Sequence, residues 1–154
     1  MFCRSKTIVG ILALVAVMIA AYPTSAGNPR PYKGQTKYSF EPTGPPVNNV
    51  VTFVGVQIGQ FSHFGRCRID SVHQVDLTTG QGAGTFTQTV ANGSTFQGTF
   101  QFQAISQTES VGQWQVIPGT GTGRLVNLSG TGTLMALETS PGIGRVKYEG
   151  DVSY

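Results

Sequence analysis

The chain is poor in the residues that make reactive sites. Histidine occurs twice, at His63 and His73, and cysteine twice, at Cys3 and Cys67. A metal centre needs three or four converging donors, and the acids nearest His73 in sequence, Asp70 and Asp76, fall on the opposite face of an extended strand. No G-x-S-x-G elbow is present, and neither histidine has a spacing that nominates a nucleophile. No metal, no cofactor and no catalytic set is expected. His63, in a turn, is expected to hydrogen-bond locally, and His73 to be partly buried.

Charge is scarce too, and mixed. Lys+Arg number 10 against 7 Asp+Glu, but Arg4 and Lys6 lie in the first six residues, where there is no acid, so the remainder carries 8 against 7, net +1. There is no basic block and no interleaving of arginine with aromatics, so nucleic acid is not an expected partner.

Long hydrophobic runs are absent except one. Met1 to Lys6 is basic, Thr7 to Ala21 is almost wholly apolar, and Pro23 is followed by Thr24-Ser25-Ala26. A positive head, an apolar run and small residues at its end make a cleavable helical signal peptide, residues 1–26. The run falls short of the roughly 20 apolar residues of a membrane span. Export to a secreted or periplasmic location follows, with no span left after cleavage. Cys67 is then alone, so no internal disulfide forms, and the remaining 154 − 26 = 128 residues depend on their core. A lone cysteine is ordinarily a small buried hydrophobe; an intermolecular bridge or reactive thiol requires it to be exposed.

What the chain has in abundance is glycine, 21 residues, set among short runs of Val, Ile, Phe, Tyr and Thr. Residues 27–35, with Pro29, Pro31 and Gly34, read as a flexible arm. The barrel domain is expected over 36–154, with strands at 36–41, 50–58, 66–78, 85–91, 94–105, 112–117, 130–138 and 143–154. The second strand, almost continuously Val, Phe and Ile, suggests burial on both faces or a bulge at Gly55. The third places Cys67, Ile69, Ser71, His73, Val75 and Leu77 on the core face. The fifth sets Phe96, Phe100 and Phe102 on one face and threonine and glutamine on the other. Residues 79–84 read as a loop. Asn92-Gly93 marks a hairpin of type I′, whose central residues both need positive φ.

Eight short strands bounded by Gly, Asn and Pro turns predict an all-β protein, an eight-stranded antiparallel barrel. Such a barrel is filled by side chains or holds one small ligand. Pro118 to Gly132 joins the sixth and seventh strands. Its glycines do not bind phosphate, because the lysine and the following helix of a phosphate loop are missing.

Gly121-Thr122-Gly123-Arg124-Leu125 followed by Gly130-Thr131-Gly132 resembles the G-T-G-R-F…G-x-G element of the allene oxide cyclase-like barrels, which include dirigent proteins and secreted bacterial members. Leu125 stands where that element has phenylalanine. Ser62-His63-Phe64-Gly65 and Ala91-Asn92-Gly93-Ser94 are similar to two turns of the bacterial members. The resemblance implies a calycin-like antiparallel barrel, trimeric in plant members, and leaves the chemistry open, because its branches do different things. The function expected from the sequence is non-enzymatic binding of a small apolar ligand or a surface component. The alternatives are a lipid-type isomerase or cyclase acting inside the barrel, and a structural or assembly role in the cell envelope. Candidate ligand-binding residues are His73, Phe96, Phe100, Phe102, Trp114 and Arg124, the arginine as an anion contact at the barrel mouth.

Overall fold

The computed structural model describes residues 27–154; the expected signal peptide, residues 1–26, lies outside them. Eight strands follow in order: β1 Arg30–Pro42, β2 Val50–Phe61, β3 Gly65–Asp76, β4 Gln81–Thr89, β5 Thr95–Ala104, β6 Glu109–Val116, β7 Ser129–Ser140 and β8 Ile143–Ser153. Each pairs antiparallel with the next, and β8 pairs with β1 to close a barrel. Closure leaves no edge strand exposed. Among the described residues the sole helical element is a single 3-10 turn, Gly123–Leu125, and no helix is long and apolar enough to cross a membrane.

Alternation decides which side chains enter. On β3, Cys67, Ile69, Ser71 and His73 are buried while Arg68, Val72 and Gln74 are exposed, as the pattern of that strand predicts. On β8, Val146, Tyr148 and Val152 face in, and Arg145, Lys147, Glu149 and Asp151 face out.

Three expectations about the strands are corrected. First, β1 starts at Arg30, so residues 30–35 belong to the sheet rather than to an arm. Pro31 lacks a donor but pairs in register with Asp151, and Tyr32 beside it is buried at 3% exposure. Second, β2 is buried on one face only. Val54 and Ile58 face solvent, and the register runs unbroken through Gly55, which has Ser71 as its partner. Third, β4 begins at Gln81, inside the expected loop.

The glycines of that stretch, Gly82 and Gly84, are strand glycines. A side chain at Gly82 would run into the ring of Phe102, and one at Gly98 into the ring of Phe86. In each case a large inward ring on one strand lies over the glycine directly paired with it on the neighbour: Gly82 with Phe102, Gly98 with Phe86. The aromatic covers backbone that would otherwise be bare, and the glycine makes room for it.

The hairpin at Asn92-Gly93 forms, but not as type I′. Gly93 alone takes positive φ, 85°, and its N–H donates to the carbonyl of Val90 at 2.8 Å.

The barrel has two unlike ends. At one, the β2–β3 and β4–β5 turns, the 117–128 connection and the chain's C-terminus come together over a filled interior. Tyr32, Phe61, Phe64, Phe96, Leu125 and Leu128 are all at most 3% exposed. Tyr32 packs on Phe61 and Trp114 with centroids 5.0 and 4.7 Å apart, and Phe64 on Phe96 at 6.0 Å. The connection is laced to β5: Thr122 N–H donates to the Thr95 carbonyl at 2.9 Å, and Gln97 N–H to Thr120 Oγ1 at 3.0 Å. Its 3-10 turn then drives Leu125 into the interior, with Leu128 following three residues on.

Candidate functional site

At the other end the interior is open. A cavity of about 490 Å³ reaches from the middle of the barrel to the β3–β4, β5–β6 and β7–β8 turns. That volume is within the range that takes a small organic ligand. Tyr38 and Phe40 of β1, Phe53 of β2, and Phe100 and Phe102 of β5 form most of its aromatic wall. Glycine pairing sets this wall too, since a side chain at Gly144 would meet the Tyr38 ring, and one at Gly55 that of Phe40.

His73 stands inside that wall. Its ring is stacked on Phe53 at 5.4 Å and meets Phe40, Phe100 and Phe102 edge-on at 4.8, 5.7 and 5.8 Å. The residue is 5% exposed, and its Nδ1 has no hydrogen-bond partner. Burial among hydrocarbon disfavours the imidazolium, pushing His73 down to about 4. It is therefore a neutral polar group at physiological pH, enclosed by phenylalanine rings in the cavity wall.

Beneath the cavity lies a small hydrogen-bonded layer. Gln57 Oε1 accepts from Thr36 Oγ1 and from the Tyr148 hydroxyl, both at 2.7 Å. One step further down, Gln88 Oε1 accepts from the Tyr32 hydroxyl at 2.8 Å. Burial raises the phenols of Tyr32 and Tyr148 well above their ordinary range, so both remain donors. This layer separates the open half from the filled half.

The six residues singled out from the sequence divide between the two halves. His73, Phe100 and Phe102 line the cavity. Trp114 lies in the floor, its Nε1 donating to the Thr133 carbonyl at 3.1 Å, beside a void of only about 10 Å³. Phe96 is 1% exposed in the filled end. Arg124 is exposed on the 3-10 turn at the closed end, away from the cavity mouth where the sequence reading put it. The connection that carries it plugs the barrel and does not line its opening.

Sequence reasoning passed over Tyr38, Phe40, Phe53, Gln57 and Glu138, all of which line the cavity. The alternation of β1, with Thr36, Tyr38 and Phe40 two apart, was the available signal for the first pair. Nothing local marks Glu138, whose position facing in depends on β7 continuing to Ser140.

Cys67 is 2% exposed, close to the carbonyls of Phe64 and Gly65, and burial raises its thiol. His63 sits in the β2–β3 turn at the closed end with φ 66°, far along β3 from His73. Among the described residues no group of three His, Cys, Asp or Glu side chains is placed to hold a metal ion.

Neither any protein-family model nor any curated protein matches this sequence.

Proposed function

We propose that this protein is exported and binds a small, largely apolar molecule in the open half of its barrel without transforming it. The cavity of about 490 Å³ with its aromatic wall carries this reading. An interior filled from end to end would have favoured a purely structural role. His73 supports binding over catalysis, because its neighbours are phenylalanine rings and no nucleophile or acid is hydrogen-bonded to it. The few polar side chains among the apolar lining, Gln57, Ser110 and Glu138 among them, serve to orient a ligand.

The likeness of Gly121 to Gly132 to the glycine element of the allene oxide cyclase-like barrels agrees with an antiparallel barrel of eight strands. It assigns no ligand, and the trimer of its plant members belongs to the same proposal.

Native mass spectrometry on protein purified from its own host tests the binding reading. A co-purifying molecule that is lost when Phe100→Trp narrows the cavity is the expected result. Protein that is consistently empty, and that takes up no apolar dye in solution, would overturn it. Turnover of an unsaturated or epoxidised lipid that is lost on His73→Ala would replace binding with catalysis.

A further inference from the structure

The charge of the cavity lining is as informative as its apolar area. Glu138 is the one acidic residue in it, and there is no lysine or arginine. Glu138 shares the inward parity of Leu134 and Ala136 on β7 and is half-buried. Its backbone N–H donates to the Thr108 carbonyl at 2.7 Å, which ties it to the β5–β6 turn at the mouth. Its partner in register on β8 is Gly144, which leaves the space beside it to the Tyr38 ring. Among the described residues the single salt bridge joins Arg68 to Asp70, so Glu138 has no basic partner.

The walls below Glu138 reinforce the same sign. Tyr38 and Phe40 are stacked, 19° from parallel with centroids 4.6 Å apart, and both line the cavity. Aromatic faces carry negative potential and attract organic cations, strongly so once water is excluded. A carboxylate ligand would meet no lysine or arginine here: besides the rings, the neutral imidazole and the acid, the lining offers only uncharged amides and hydroxyls, those of Gln57, Ser106, Gln107, Thr108 and Ser110 among them. The Tyr38 ring lies over Gly144, the register partner of Glu138, which puts the acid beside that wall; burial and the nearby Glu138 push the Tyr38 phenol up to about 12.

We infer that the cavity selects an organic cation: an apolar body seated among Phe40, Phe53, Phe100 and Phe102, with a substituted ammonium group held at the mouth between Glu138 and the Tyr38 ring. This rests on the reading of the cavity as a ligand site and adds the charge of the ligand to it. It sets this barrel against carriage of free fatty acids, whose carboxylate would find no base.

The test is calorimetric titration with three probes of equal chain length, octyltrimethylammonium, octanol and octanoate, on the wild type, Glu138→Gln and Glu138→Asp. The ammonium probe is expected to bind about tenfold more tightly than octanol, with octanoate weakest. Glu138→Gln closes the gap between ammonium and octanol, while Glu138→Asp keeps most of it. Thermal midpoints of both variants are measured alongside to show that they are folded. Octanoate binding as tightly as the ammonium probe, or a preference that survives Glu138→Gln, would overturn the cation assignment and leave the ligand site standing. If none of the three binds, the ligand site fails with it.

Discussion

The imidazole of His73 lies almost flat on the ring of Phe53, 15° from parallel with centroids 5.4 Å apart. The pair belongs to adjacent strands in direct register, His73 on β3 opposite Phe53 on β2. A polar ring has thus been placed where the barrel otherwise keeps phenylalanine, and its Nδ1 is unpartnered.

That placement makes the protein acid-sensitive. Burial pushes the folded imidazole down to about 4 from the ordinary 6.5 of the unfolded chain. Between those values the unfolded chain binds more protons, so stability falls as pH drops from about 6.5 to 4, and this group contributes no slope above that window. The size is on the order of 3 kcal/mol. His73→Phe fits the same cage and removes both the unpaired nitrogen and the titration. Urea melts across this pH range should show the variant more stable than wild type, with a flatter acid limb.

The layer under the cavity depends on one acceptor. Gln57 Oε1 serves both Thr36 and Tyr148. Gln57→Leu leaves two buried hydroxyls unpaired and should cost roughly 2–4 kcal/mol, whereas Tyr148→Phe should cost about 1. The double variant should lose less than the sum of the two. Denaturant midpoints for the three proteins check this, and strict additivity would refute the shared acceptor.

The pairing of glycine with an aromatic makes another contrast. Gly98→Ala sets a methyl against the Phe86 ring and the Gln115 carbonyl, and should cost about 1–3 kcal/mol. Gly44→Ala, in the β1–β2 connection, meets nothing within 4 Å and has no positive φ. It should be neutral or stabilise by up to about 1 kcal/mol. Equal effects at the two sites in chemical denaturation would show that the ring does not need the glycine.

At the closed end, Leu128→Ala should destabilise by roughly 2–5 kcal/mol by emptying part of the plug. Arg124→Ala, on an exposed position of the same connection, should change stability by less than about 0.5 kcal/mol. It should also leave probe binding in the cavity as it is. A loss of probe binding in Arg124→Ala would mean that this end takes part in recognition.

Cys67 should behave as a structural thiol. Burial raises it and hides it from solvent, so an aromatic disulfide reagent should react slowly with native protein and rapidly once the chain is unfolded. Fast labelling of the native state would contradict its position in the core.

Much of the fold was written locally. Period-two alternation on β3, β5 and β8 identifies the inward faces, because a strand turns successive side chains to opposite sides whatever surrounds it. Turn residues at Asn92-Gly93 and Pro141-Gly142 separate strands that then pair as neighbours. Where local signals failed, partners elsewhere in the chain were responsible. Residues 30–35 look like an arm until β8 closes on them, and Gly82 and Gly84 look like a loop until Phe102 and His73 lie across them.

The candidate site was less legible. Alternation put His73, Phe100 and Phe102 on inward faces, but Phe96 shares that face and ends in the filled half. Depth along the barrel depends on strand stagger, which no single strand encodes. By itself the sequence determined strand count, inward faces and a scarcity of reactive groups. Tertiary closure decided which end is plugged, that Arg124 lies at that end, and that Glu138 is the one acid lining the cavity at the other. Those outcomes depend on register between strands far apart in the chain, where packing of rings against glycines selects one alignment.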